Sequence, residues 1–194
     1  PLARFLSDLL GRRLAQSGIE QVGKYRIVEH IGRGATATVF HAYNPSVQRA
    51  VALKMLNHSL VFNKHFRDRF IREAHTLAKL SHPHIVQLYD MESQFATYFM
   101  VMEYVDGKDL YEVFADQPRM EIFQAGSYLA QVGRALAYLH GEGVVHGDVK
   151  PPNCLVEPNG NLKLTDFGIC RCLDQPNPRL DGEPIAGTPE FMAP

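Results

Sequence analysis

The apolar residues of this chain change their spacing once, and that change restricts the folds open to it. Between Tyr25 and about Met102 they fall in short strand-type runs: 25–31, 37–42, 49–56, 85–90 and 96–102, separated by Gly and Asn-Pro turns. One stretch, 64–80, interrupts them with helical spacing. From Asp106 onward the pattern is helical, most clearly over 121–140, where Ile122, Leu129, Val132, Leu136 and Leu139 are expected on one buried face and Gly141 and Gly143 end the helix. Two short strands are expected around Asn159-Gly160, and the proline-rich stretch from 173 to 194 reads as a long loop. The expectation is an α+β chain: a small antiparallel sheet with one helix, then a mainly helical part. A length of 194 residues fits one large domain or two small lobes.

Composition removes several classes of function. Hydrophobic residues make up 45% and charged residues 21%, which excludes a disordered or fibrous chain. Twenty Lys and Arg stand against 21 Asp and Glu, so no bulk positive field attracts nucleic acid or an anionic membrane. The apolar runs, such as Phe99 to Met102, are too short to span a bilayer. Three cysteines argue against a disulfide scaffold and for a reducing, cytoplasmic compartment. Cys170 and Cys172 are too close for a comfortable disulfide and lack a second pair for zinc, and the nine histidines show no metal-type spacing. Leu2, Phe5, Leu6, Leu9, Leu10 and Leu14 predict an amphipathic helix over residues 2–17, docked on its own domain or on a partner.

The chemistry-bearing residues come in a set order. Gly32-Arg33-Gly34 lies between two strand-type runs; glycines there let the backbone approach a phosphate chain, although a plain hairpin turn would look the same. Lys54 shares a strand face with Ala50, Ala52 and Leu56. Glu73 falls in the helical stripe Phe66, Phe70, Leu77 and Leu80. Each charge points toward apolar surroundings and requires a partner, and each is the other's natural candidate. After the long helix come His146-Gly147-Asp148-Val149-Lys150-Pro151-Pro152-Asn153, then Asp166-Phe167-Gly168. A carboxylate, an ammonium and an amide on one loop suit phosphoryl transfer, and Asp166 adds a second hard oxygen ligand of the kind Mg²⁺ favours.

Taken in this order, the motifs resemble a Ser/Thr protein kinase catalytic domain of the eukaryotic-like type, over about residues 24–194. They are Ile31-Gly32-Arg33-Gly34-Ala35-Thr36-Ala37-Thr38-Val39, Val51-Ala52-Leu53-Lys54, Glu73, the loop 146–153, Asp166-Phe167-Gly168, and Gly187-Thr188-Pro189-Glu190-Phe191-Met192-Ala193-Pro194. The resemblance implies a two-lobed fold: a linker and helix at 1–23, an ATP-binding lobe at 24–105, and the first part of a helical lobe at 106–194. It implies ATP and Mg²⁺, with Lys54 on the phosphates and paired to Glu73. Asp148 would be the catalytic base, Lys150 would steady the γ-phosphate, and Asn153 and Asp166 would ligate the metal. Adenine would sit between Ile31, Val39 and Ala52 on one side and Leu155 on the other, with Gly32 and Gly34 also binding the nucleotide, Met102 as gatekeeper and the backbones of Glu103 and Val105 as the hinge. Leu77, Leu88, His146 and Phe167 would form the stacked spine, and Thr188 would contact Asp148. Lys150 points to Ser/Thr acceptors on protein substrates.

The chain departs from the pattern in three places. Ala37 replaces the third glycine, Gly147 replaces the usual arginine, and the sequence stops at Pro194 before the glutamate expected next, so it reads as a piece of a longer protein. Loss of the arginine, with Thr188 as the one hydroxyl between Phe167 and Pro194, predicts control that does not use an activation-loop phosphate. A truncated helical part would expose apolar surface and favour self-association, there or through the N-terminal helix. Two alternatives stand beside the kinase: a small-molecule phosphotransferase of the aminoglycoside-kinase type, suggested by His146-Gly147-Asp148, and a pseudokinase acting as a binding module, against which the presence of Lys54, Asp148, Asn153 and Asp166 argues.

Overall fold

A computed structural model describes residues 21–117, 119–168, 170–172 and 188–191. The amphipathic segment 2–17 and most of the stretch 173–194 lie outside the described residues. The chain divides into two compact units, one of Pro1–Ala78 with Leu88–Tyr104 and one of Lys79–Gln87 with Val105–Pro194.

The first unit is a six-stranded antiparallel sheet with two helices. Its strands are β1 (Gln21–Val22), β2 (Tyr25–Arg33), β3 (Ala37–Asn44), β4 (Arg49–Leu56), β5 (Leu88–Gln94) and β6 (Thr97–Glu103), ordered β1-β2-β3-β4-β6-β5. The β4 register pairs Val39 with Lys54, Lys54 with Met100 and Ala52 with Met102. Paired residues share a face, so Lys54 lies on one side of the sheet with Val39, Ala52, Met100 and Met102. The other side carries the cluster Val22, Tyr25, Phe40, Ala42, Val51, Leu53, Met55, Phe99 and Val101. Alternation of the two sets along one strand fixes which face Lys54 takes, since a one-residue slip would bury it in that cluster.

Helix α1 is the single turn His58–Val61, and α2 spans Lys64–Leu77. Asn63 caps α2, its side chain accepting from the His65 N–H at 3.0 Å. Phe70, Glu73 and Leu77 are buried along one α2 stripe, as their spacing predicts. The strand expected over 85–90 begins instead at Leu88. Ile85 and Val86 belong to the second unit, where Ile85 bridges Leu164 and Val86 N–H donates to the Leu164 carbonyl at 3.0 Å.

In the second unit, β7 (Lys108–Asp109) leads into α3 (Leu110–Asp116) through a capping box between Asp109 and Glu112. Helix α4 spans Ile122–Gly141 and is followed by β8 (Val144–Val145). The expected hairpin forms from β9 (Cys154–Val156) and β10 (Leu162–Leu164), with Gly160 at φ +84° in its turn. A short strand β11 (Arg171–Cys172) pairs with β8.

The buried face of α4 differs from the one the leucine and isoleucine spacing suggests. Ile122 and Leu129 are 80% and 74% exposed, while Tyr128, Gln131, Ala135 and Leu139 are buried. Gln131 turns inward because it closes hydrogen bonds that the hairpin backbone leaves open: it donates to the Gly160 carbonyl at 3.0 Å and accepts from Leu162 N–H at 2.7 Å.

Candidate active site

In the first unit the geometry centres on Lys54. Its Nζ lies 2.6 Å from Glu73 Oε1, joining β4 to α2, with the two side chains 12% and 5% exposed. The partner inferred from two isolated charges in apolar stripes is therefore the partner found. Ala52 and Met102 are buried, Val39 is half-buried, and Ile31 is exposed at 45%. Glu103 is the last residue of β6 and pairs with Val51. Beyond it, the Tyr104 ring stacks on His41 at 4.0 Å between centroids.

The glycine stretch forms the end of β2 and a tight turn. Gly34 N–H donates to the Ala37 carbonyl at 2.8 Å, and β3 follows directly, so no helix N-terminus is involved. One residue that the sequence did not single out holds this turn: Asn57, directly after β4. It hydrogen-bonds to Gly34, Ala35, Thr36 and Thr38. Its partners are mostly backbone atoms, which leave no mark in a residue pattern.

In the second unit the loop after α4 gathers its polar groups around Asp148. Lys150 Nζ lies 2.8 Å from Asp148 Oδ2 and donates to Thr188 Oγ1 at 2.8 Å. The Thr188 hydroxyl in turn donates to Asp148 Oδ1 at 2.8 Å. Asn153, buried, gives its amide nitrogen to the Asp148 carbonyl at 2.8 Å, which leaves its amide oxygen as the atom able to face a cation. Burial pushes the Asp148 carboxyl up, but Lys150, Thr188 and Asn153 together outweigh it and hold the carboxyl below the ordinary aspartate value. Asp148 is therefore ionised at neutral pH and can accept a proton.

His146 supports this loop from beneath. It is 1% exposed, its Nδ1 accepts from the Asp148 N–H at 3.2 Å, and its Nε2 bonds the Thr165 carbonyl at 3.1 Å. Those two partners select the neutral Nε2–H tautomer. Phe167 packs edge-on against the His146 ring at 4.7 Å. Gly147 adopts φ +82°, and Asp166 adopts φ +63°, a left-handed conformation that Asp accepts more readily than most residues with a side chain. Asp166 is exposed, and Leu155 is half-buried on β9. Among the described residues, no group of three or more His, Cys, Asp or Glu converges on one point. Asn153 and Asp166 provide one amide oxygen and one carboxylate, a donor set that suits Mg²⁺ when phosphate oxygens complete the shell.

The first unit pairs a sheet Lys with a helix Glu, the second carries an Asp, Lys and Asn loop, and both belong to the motif set of the protein kinase class. The family described as "Protein kinase domain" matches residues 25–194, and the chain belongs to it. Curated relatives agree. The chain is 36% identical over 176 residues to the CBL-interacting serine/threonine-protein kinase 3 of Arabidopsis thaliana, covering 90% of this chain and 40% of that protein. It is 36% identical over 182 residues to serine/threonine-protein kinase PknA of Mycobacterium tuberculosis, covering 91% and 42%. Against serine/threonine-protein kinase PrkC of Bacillus subtilis it is 36% identical over 165 residues, covering 85% and 24%. The chain thus spans well under half the length of these relatives. Among its described residues, no helix is long and apolar enough to cross a membrane.

Proposed function

We propose that the protein is a Ser/Thr protein kinase that transfers the γ-phosphoryl group of ATP to a Ser or Thr hydroxyl of a protein substrate. The observation that carries this reading is the Thr188 hydroxyl seated 2.8 Å from Asp148 Oδ1, with Lys150 Nζ bridging both groups. A carboxylate ionised at neutral pH and already holding an aliphatic hydroxyl can orient an incoming one. In the transfer, the substrate oxygen forms a bond to the γ-phosphorus and the bond to the β,γ-bridging oxygen breaks, releasing ADP. The hydroxyl proton passes to Asp148, and Lys150 offsets charge on the transferring group.

In the first unit, the nucleotide-binding roles fall to Ile31, Gly32, Gly34, Val39, Ala52, Met102, Glu103 and the Lys54–Glu73 pair; in the second, to Val105 and Leu155. Asn153 and Asp166 would hold Mg²⁺, which neutralises phosphate charge when bound. The division at residues 24 and 105, the cytoplasmic location and self-association through residues 2–17 belong to the same reading. The names of the relatives support the kinase activity, and the low cysteine count supports a reducing location.

The test is phosphotransfer by the full-length protein with ATP, Mg²⁺ and a generic protein substrate. Asp148→Asn is expected to lower turnover by about 100-fold or more while the fold survives. Asp166→Ala is expected to abolish the Mg²⁺ dependence of nucleotide affinity. Near-wild-type turnover by Asp148→Asn would overturn the assignment of the base.

A further inference from the structure

Asn57 stands where an N-cap residue stands, immediately before α1, and its carbonyl accepts from Leu60 N–H at 2.8 Å. An asparagine at that position ordinarily turns its side chain onto the free N–H groups of its own helix. Here the side chain makes no capping bond. Its Nδ2 donates to the Gly34 carbonyl at 3.2 Å and to the Ala35 carbonyl at 3.1 Å. Its Oδ1 accepts from Thr38 Oγ1 at 2.9 Å, and its backbone N–H donates to the Thr36 carbonyl at 2.9 Å. One residue thus grips the glycine turn at four places, residues 34, 35, 36 and 38, while its side chain leaves its own helix uncapped.

We propose that Asn57 is a positioning residue for nucleotide phosphates: it fixes the carbonyls of residues 34–36 so that the N–H groups of the glycine stretch are set for a phosphate chain. The proposal rests on the nucleotide-binding reading above. A peptide unit whose carbonyl is held on one side presents its N–H with a fixed orientation on the other, because the peptide group is planar. The turn begins at Gly34, where conformational freedom would otherwise scatter those N–H directions and add an ordering cost to each binding event. Ala37, in place of a third glycine, is buried at the start of β3 and acts in the same sense. None of these bonds reaches the adenine-side residues Ala52 and Met102 or Lys54, so a loss of Asn57 is expected to tell on phosphate rather than adenine binding.

The experiment compares ATP, ADP and adenosine binding to the full-length protein and its variants by titration calorimetry. Asn57→Ala is expected to weaken ATP and ADP by about 10-fold, the equivalent of one to two net hydrogen bonds, and adenosine by less than about twofold. Thr38→Val, which removes one bond to the Oδ1 side, is expected to weaken ATP by about threefold and leave adenosine unchanged. Equal losses for ATP and adenosine would make Asn57 a merely structural residue and overturn the proposal, as would unchanged ATP affinity. Where Asn57→Ala fails to fold, the ATP-to-adenosine ratio of Thr38→Val decides on the same criteria. Lys54→Met separates the two levels. A wild type without ATP binding overturns the nucleotide reading itself, and with it this proposal. A wild type whose ATP affinity responds to Lys54→Met but not to Asn57→Ala overturns only the role of Asn57.

Discussion

Lys54 Nζ and Glu73 Oε1 meet at 2.6 Å, so a strand charge and a helix charge satisfy each other inside an otherwise apolar layer. Lys54→Met should lower stability by about 3 kcal/mol, because it takes the ammonium from a carboxylate that is almost fully buried. Lys54→Met with Glu73→Leu should recover most of that loss. Phosphotransfer should stay down by about 100-fold in both variants. Denaturant titration and a kinase assay on the same samples check this. Activity that returns along with stability would show the pair to be structural only.

The acid limb of kcat/KM should move when Thr188 is changed. Burial raises the Asp148 carboxyl and the Lys150, Thr188 and Asn153 bonds lower it further than burial raises it. Thr188→Val removes one of the lowering bonds, so the Asp148 pKa rises and activity is lost at a higher pH than in wild type. A depressed folded-state pKa also contributes stability above the unfolded value, which is lost as pH falls through the folded one. That contribution should shrink in Thr188→Val. A pH–rate profile superimposable on wild type would count against the 2.8 Å bond as a determinant of Asp148 basicity.

His146 should give the fold an acid sensitivity of its own. Burial lowers its pKa, and a proton on Nδ1 would face the Asp148 N–H that now donates there. Here the unfolded chain binds the proton more readily than the folded one. Stability should therefore be full above about pH 6.5 and fall as pH drops through that value. His82, stacked on Tyr138 and also lowered by burial, adds to the same trend. Urea midpoints between pH 7.5 and 5.5 test it, and a flatter slope in a His146→Phe variant is the expected signature.

Gly107 is predicted to tolerate no side chain. A Cβ there would collide with the Val156 carbonyl, where β7 runs beside β9. Gly107→Ala should cost about 1–3 kcal/mol through forced backbone shifts. A thermal midpoint equal to wild type would contradict the packing described for this turn.

Phosphatase treatment of the full-length protein should leave activity unchanged. Residues 168–187 contain no Ser, Thr or Tyr, and Gly147 offers no side chain to pair with a phosphate. Mass spectrometry before and after treatment checks this. A drop of about tenfold traced to Thr188 would end the idea.

The readable features were those in which a side chain had to answer its surroundings. Lys54 and Glu73 each stood alone on an apolar face, so the sequence itself demanded their contact. The turn at Asn159-Gly160 was equally plain, since Gly160 supplies the positive φ there. The α4 spacing places Leu139 correctly inside but not Ile122 and Leu129, because helical spacing ranks residues by apolarity alone. Gln131 is drawn inward by backbone groups of a hairpin some thirty residues away, and Ile122 and Leu129 are left outward. Asn57 leaves no mark for a related reason: three of its four partners in the turn are carbonyls, which every residue carries.

The order of strands in the small sheet is not the order in which the chain supplies them. Strand β4 is bracketed by β3 and β6, yet residues 79–87 are made first and belong to the other unit. Until residue 103 clears the ribosome, Val51, Leu53 and Met55 therefore sit on an open strand edge with no neighbour to complete their ladder. A chain that ended before residue 97 would leave that edge open to another strand, and only β6 closes it.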